Sequence, residues 1–184
     1  MSASSYRILK RLRGLPVEGV DVGAAVAILL KPPLRAPQVL LVKRAVNPSD
    51  PWSGDMAFPG GRRRPEDSDL RETVTRETRE ETGIDLGRYR FLGALEIAHS
   101  TAAPELGVLP FVILCDESPE ITLNDELCSY LWAPIERLRR SRGKALVNQR
   151  EVPSYHTGGE VVWGLTYRVL ESLLRLMEET NPAS

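Results

Sequence analysis

The stretch Phe58–Ile84 reads FPGGRRRPEDSDLRETVTRETREETGI. A Pro-Gly-Gly turn (Pro59, Gly60, Gly61) opens it, a polar, acidic loop follows, and a helix is predicted over Leu70–Thr82. Ser68 or Asp69 is placed to cap that helix, because a short oxygen-bearing side chain accepts from the free amides of the first turn; Glu72 adds negative charge where the helix dipole favours it. Gly83 suits the left-handed position that ends a helix. Glu77, Glu80 and Glu81 stand at i, i+3 and i+4 and share one face, where like charges repel by roughly 0.2–0.5 kcal/mol per pair. Such a face asks for a cation. Three carboxylates form a hard, oxygen-only set that suits Mg2+ or Mn2+, and magnesium bound this way keeps waters and takes phosphate oxygens as well. The bland alternative is a solvated, Glu-rich helix face.

Working outward, Val20–Leu30 is rich in Val, Ala, Ile and Leu and reads as a strand. Gln38–Arg44 reads as a second strand, paired with the first as a hairpin across a proline-bearing loop. Ala45–Asp55 is turn-rich, and Met56–Phe58 is a short strand entering the glycine turn. Downstream, Tyr89–Ala98, Gly107–Cys115, Leu131–Ala133 and Glu160–Trp163 read as strands. Pro134 opens a helix to about Arg140, since proline is tolerated in a first turn. Leu165–Glu179 is a helix with Leu170, Leu173, Leu174 and Met177 as its apolar stripe. Periodicity leaves Ala145–Val152 open between a strand and a short helix. This order of elements implies an α/β sandwich with a mixed sheet between helices.

At 184 residues the chain fits one domain with an added terminal element. We divide it at residue 20: residues 1–19 carry a short amphipathic helix, Tyr6–Leu15, and a lead-in, and residues 20–184 carry the domain. A formal net charge of -1 gives no global attraction for nucleic acid or an acidic membrane. No apolar run is long enough to span a bilayer, and Lys31-Pro32-Pro33 follows the first apolar run where a cleavage site would be needed for a signal peptide. Cys115 and Cys128 lack a CxxC partner and read as buried, reduced thiols, so a cytoplasmic protein is expected.

The residues from Gly61 onward resemble the signature of the Nudix hydrolases: a glycine, a short acidic loop, then Arg76-Glu77-Thr78-Arg79-Glu80-Glu81-Thr82-Gly83-Ile84. Thr78 stands where that signature has an apolar residue, and the gap from Gly61 to Arg76 is one residue longer than the common form, so Asp67 is taken as the stand-in for the signature's first glutamate. Two further stretches, Leu40–Ala45 with Ser53–Gly61 and Val161–Thr166, are similar to the coenzyme A pyrophosphatase branch. Val42 replaces a usual Thr there, and Val46–Ser53 lacks a usual Arg.

The resemblance implies an α/β/α sandwich and a Mg2+- or Mn2+-dependent pyrophosphohydrolase acting on a nucleoside diphosphate derivative, coenzyme A or a related nucleotide. ADP-ribose, dinucleotide and nucleoside triphosphate substrates are alternatives, as is a non-catalytic nucleotide-binding module. It implies Glu77, Glu80, Glu81 and the Gly60 carbonyl as metal ligands, with Arg76 holding Glu77 in place. For the general base it implies a glutamate of this signature, Glu80 among them, or Glu126 from the loop ahead of Trp132 and Pro134. Arg44, Gly61 and Arg62 are candidate substrate contacts, Arg62 as part of the run Arg62–Arg64. His99 and His156 read as structural. The expected partner is a small nucleotide, with no nucleic acid and no membrane, and a homodimer is the expected assembly.

Overall fold

The computed structural model describes residues 22–33, 36–50, 52–100 and 104–178. The amphipathic segment Tyr6–Leu15 expected from the sequence lies outside them. Eleven strands and three α-helices follow in order: β1 Val22–Lys31, β2 Gln38–Arg44, β3 Met56–Ala57, β4 Gly60–Arg62, α1 Leu70–Thr82, β5 Arg90–Ala94, β6 Ala98–His99, β7 Gly107–Leu114, β8 Leu127–Pro134, α2 Ile135–Arg140, β9 Gly143–Val147, β10 Arg150–Thr157, β11 Glu160–Val162 and α3 Gly164–Glu178.

Strands β1 to β8 form one mixed sheet, in which β1 runs parallel to β7 from Val22↔Gly107 to Leu30↔Leu114. Side chains along a strand alternate between faces, and β1 shows this in its two cores. Ala25, Ala27 and Leu29 join Val74, Ile84, Leu86 and Phe111 on the side of α1. Ile28 and Leu30 join Leu138, Tyr155, Leu170 and Leu173 on the side of α2 and α3. A sheet covered on both faces needs apolar residues at nearly every position, which is why Val22–Leu30 and Gly107–Cys115 read as unbroken apolar runs. The result is the α/β/α sandwich expected from the sequence.

The expected hairpin of β1 and β2 forms only at its closed end, Leu30↔Val39 and Lys31↔Gln38. Beyond it the strands part. Strand β4 pairs with β1 (Ala24↔Arg62 to Val26↔Gly60), and β3 pairs with β2 (Val42↔Ala57, Lys43↔Met56). The Pro-Gly-Gly segment therefore fills a wedge between two separating strands, and Gly60–Arg62 is strand where the sequence suggested a turn. Strand β8 covers the other side of β2 along its length, and is longer than the expected Leu131–Ala133. The expected strand Tyr89–Ala98 is broken into β5 and β6.

The stretch Ala145–Val152 belongs to a β-hairpin of a separate three-stranded sheet, with Asn148 and Gln149 both at positive φ in its turn. That is the backbone a two-residue hairpin turn demands. Cys115 is buried, and burial pushes its thiol up to about 12. Cys128 is exposed on β8, which corrects the expectation that both thiols are buried. Among the described residues no helix is long and apolar enough to cross a membrane.

Helix α1 is capped by Asp69, whose carboxylate accepts from the Glu72 amide at 2.7 Å, and it ends at Gly83 with φ 71°. Thr78, standing where an apolar residue is usual, is fully buried, and its hydroxyl has no hydrogen-bond partner among the described residues. An orphaned buried hydroxyl costs about 1–3 kcal/mol. Thr78→Val should therefore stabilise the protein, by about 1 kcal/mol, read as a higher urea midpoint with unchanged m-value.

Candidate active site

The wedge brings the glycine pair of β4 against the carboxylate face of α1. The Gly60 amide donates to Glu81 Oε2 at 2.9 Å. Gly60 has φ 143°, and a Cβ there would sit 2.3 Å from the Ala25 carbonyl oxygen; a Cβ on Gly61 would sit 2.5 Å from Glu77 Oε2. Only glycine lets this backbone lie so close to both the strand and the carboxylates. Glu81 is 4% exposed. Burial pushes its carboxyl up to about 7, opposed by the Gly60 hydrogen bond and reinforced by the charge of Glu77.

The acidic loop is organised from within. Asp67 is buried and accepts from Arg76 at both oxygens (Nε–Oδ1 2.9 Å, Nη2–Oδ2 2.8 Å), from the Arg64 amide at 2.8 Å and from the Thr73 hydroxyl at 3.0 Å. The Arg76 guanidinium holds the Asp67 carboxyl well below the usual carboxylate range, against the opposing effect of burial. Arg76 also reaches Glu77 Oε1 at 2.5 Å. The link to Glu77 expected from the sequence is present, but the two-pronged bond of Arg76 goes to Asp67. Arg63 ties the same loop by donating to the carbonyls of Asp67 and Ser68.

A cleft of about 350 Å3 opens beside these residues. Glu77, Glu81, Gly60, Gly61, Arg44, Arg62 and Glu126 all line it. Its other wall is apolar, built from Trp52, Met56, Phe58, Leu106, Val108 and Leu165. Arg44 is steadied by Asp50 (Nε–Oδ2 2.7 Å) and Glu126 by its carbonyl, which accepts from the Ala45 amide at 2.8 Å. Glu80 does not line the cleft. It is 42% exposed and lies on an outer groove with Arg79 and Ser68. Among the described residues no three His, Cys, Asp or Glu side chains form a ready cation-binding group. His99 and His156 are exposed, His99 bonded to the Pro104 carbonyl and His156 to Ser154, and neither lines the cleft.

Asp55 was not singled out by sequence reading. It lines the cleft, is half-buried, and accepts from Trp163 Nε1 at 2.9 Å; burial pushes its carboxyl up. Thr166 bonds the Met56 carbonyl at 3.0 Å, so the start of α3 is stapled to β3. The signal available was an acidic residue directly before the apolar pair Met56-Ala57.

The donor set suits a hard divalent cation: two glutamates and a glycine backbone converge in the cleft, with water-accessible space beside them. With the metal chelated, Glu81 makes a testable pH signature. A carboxyl raised to about 7 binds its proton more tightly in the folded state than in the unfolded one, so stability falls as pH rises from about 4.5 towards 7 and then levels off. In EDTA, Glu81→Gln should therefore equal wild type near pH 4.5 and exceed it by about 3 kcal/mol at pH 8. Urea denaturation at the two pH values checks this; a constant difference would contradict it.

This combination of fold and site defines a class: the chain belongs to the Nudix hydrolase family, and residues 21–155 match the NUDIX domain. Members of that family act on pyrophosphate bonds. Among relatives, the chain is 32% identical over 163 residues to the uncharacterised Nudix hydrolase NudL of Yersinia enterocolitica, covering 84% of this chain and 80% of that one. It is 28% identical over 180 residues to the human mitochondrial coenzyme A diphosphatase NUDT8, covering 91% of this chain and 72% of that one. A Schizosaccharomyces pombe protein is 38% identical over 109 residues, which is 55% of this chain, and the match spans only 33% of that protein's length. Among solved structures, the Nudix hydrolase RenU of M. smegmatis superposes with a TM-score of 0.59 at 18% identity, covering 89% of each chain. The C. elegans Ap4A hydrolase superposes with a TM-score of 0.55 at 15% identity, covering 85% of this chain and 93% of that one. These two likenesses concern the fold.

Proposed function

We propose that the protein is a Mg2+- or Mn2+-dependent pyrophosphohydrolase that cleaves the diphosphate of a nucleoside diphosphate derivative, with coenzyme A species as the first candidates. The observation that carries this reading is the cleft itself, which sets the carboxylates Glu77 and Glu81 and the arginines Arg44 and Arg62 beside an apolar wall. A diphosphate needs the first part, and an uncharged organic arm suits the second. The similarity to NUDT8 favours coenzyme A among such substrates.

Glu77 and Glu81 would hold the cation, with Glu80 and the Gly60 carbonyl as its further ligands. When bound, the cation neutralises phosphate oxygens and makes bound water more acidic. Arg44 and Arg62 pair with the remaining phosphate oxygens, and Arg76, fixed by Asp67, positions Glu77. Glu126 takes a proton as the water oxygen attacks phosphorus and the anhydride P–O bond breaks, giving two phosphate monoesters. The apolar wall excludes bulk water and orients the organic arm, so catalysis rests mainly on positioning and charge. The same reading sets the protein in the cytoplasm with a small nucleotide as its partner and neither nucleic acid nor membrane; a homodimer is the assembly that sedimentation would test.

Incubation with Mg2+ or Mn2+ and coenzyme A, acyl-coenzyme A, ADP-ribose, NADH, dinucleoside polyphosphates and nucleoside triphosphates tests the reading. Coenzyme A species should be cleaved with the highest kcat/KM. Preference for ADP-ribose, a dinucleotide or a triphosphate would replace the substrate and keep the reaction. Folded protein that binds nucleotide but turns over none would indicate a binding module instead.

A further inference from the structure

Three consecutive arginines open the acidic loop, and each does something different. Arg62 lines the cleft, Arg63 ties the loop, and Arg64 faces outward across helix α1. The two terminal nitrogens of Arg64 meet both oxygens of Glu80, Nη1–Oε1 at 3.0 Å and Nη2–Oε2 at 2.9 Å. Nη2 also stands 3.9 Å from Glu77 Oε1, and Arg76 Nη1 lies 3.3 Å from Glu80 Oε2. Both oxygens of Glu80 are thus engaged by guanidinium, while its neighbours Glu77 and Glu81 line the cleft. A divalent cation approaching Glu80 would have to share its oxygens with two guanidinium groups whose positive charge opposes it.

We propose that Arg64 is an internal counter-cation that competes with the divalent metal for Glu80 and so sets the metal concentration at which the third carboxylate joins the site. The proposal rests on the reading of Glu80 as a metal ligand. Arg64 is then a positioning residue, acting through Glu80. Its side chain is 51% exposed and that of Glu80 42%. A pair so open to solvent is screened and modest in strength, which makes it exchangeable. The loop does not depend on it, since the Arg64 backbone amide, and not its side chain, holds Asp67.

The test reads metal binding without substrate: Mn2+ is titrated into wild type, Arg64→Gln, Arg64→Lys, Glu80→Gln and the Arg64→Gln/Glu80→Gln double variant, with free Mn2+ followed by electron paramagnetic resonance. Arg64→Gln should bind Mn2+ about three- to tenfold more tightly than wild type. Arg64→Lys should fall between, because lysine keeps the charge but loses the fork; it also carries the test if the glutamine variant does not fold. Glu80→Gln should bind more weakly, and the gain from Arg64→Gln should vanish in its background. An equal gain in both backgrounds would reduce Arg64 to long-range charge and overturn the proposal. So would no gain from Arg64→Gln while Glu80→Gln weakens binding, which leaves the ligand reading intact. Wild-type Mn2+ affinity in Glu80→Gln would remove that ligand reading, and the proposal with it.

Discussion

Glu77→Gln and Glu81→Gln should each lower kcat by at least about 100-fold at saturating Mg2+, the scale on which even outer partners of a metal ligand act. Both carboxylates line the cleft from α1, beside the backbone of Gly60 and Gly61 and the cations Arg44 and Arg62; the other acids of the cleft, Asp55 and Glu126, stand outside α1. Glutamine keeps the size, and its oxygen can still accept from the Gly60 amide as Glu81 Oε2 does at 2.9 Å. The fold should therefore survive, and the loss should appear in turnover and in metal affinity rather than in expression or melting. Initial rates across a Mg2+ series separate the two. Wild-type kcat in both variants would remove the carboxylate wall from the mechanism.

Asp67→Ala is the largest expected loss of stability. Removing one partner of a buried, hydrogen-bonded ion pair typically costs about 3–5 kcal/mol, because the other charge is left behind. Asp67 accepts four hydrogen bonds, two from Arg76, one from the Arg64 amide and one from Thr73. Arg76 retains Glu77 as a partner, which places the cost at the low end, about 3 kcal/mol or a fall in Tm of roughly 6–12 °C for a chain of this size. The pH dependence has a definite sign. The Asp67 carboxyl is held down in the folded state, so its contribution is complete above the unfolded pKa near 3.9 and is lost as pH falls below it. Wild type and variant should converge in strong acid. A variant that melts like wild type at pH 7 would show that the loop does not depend on this pair.

The sequence was most legible where local chemistry and tertiary role coincide. Helix α1 has a cap at Asp69, a stop at Gly83 and a carboxylate face, and each is recorded within a few residues. Strands β1 and β7 are read from apolar runs because both of their faces are buried. Where position depends on distant partners, the reading ran out. Glu80 shares a helical face with Glu77 and Glu81 by spacing, yet Arg64, sixteen residues upstream, holds it outside the cleft. Asp55 enters the site because Trp163, 108 residues away, binds it. The β9–β10 hairpin turns on Asn148-Gln149, and Gln149 lacks the glycine that makes such turns recognisable. The separation of β1 from β2 had no local mark at all, because it is created by the segment that enters between them.

That wedge has a consequence for how this protein could change. Strand β3 is anchored to one strand and β4 to the other, and only Phe58 and Pro59 bridge them. The gauge of the cleft is therefore written in a residue count rather than in the side chains that line it. Lengthening the bridge by one residue would force a choice: either the extra residue bulges out between the two anchored strands, or β4 slips along β1 and carries the glycine pair away from its seat beside Glu77 and Glu81.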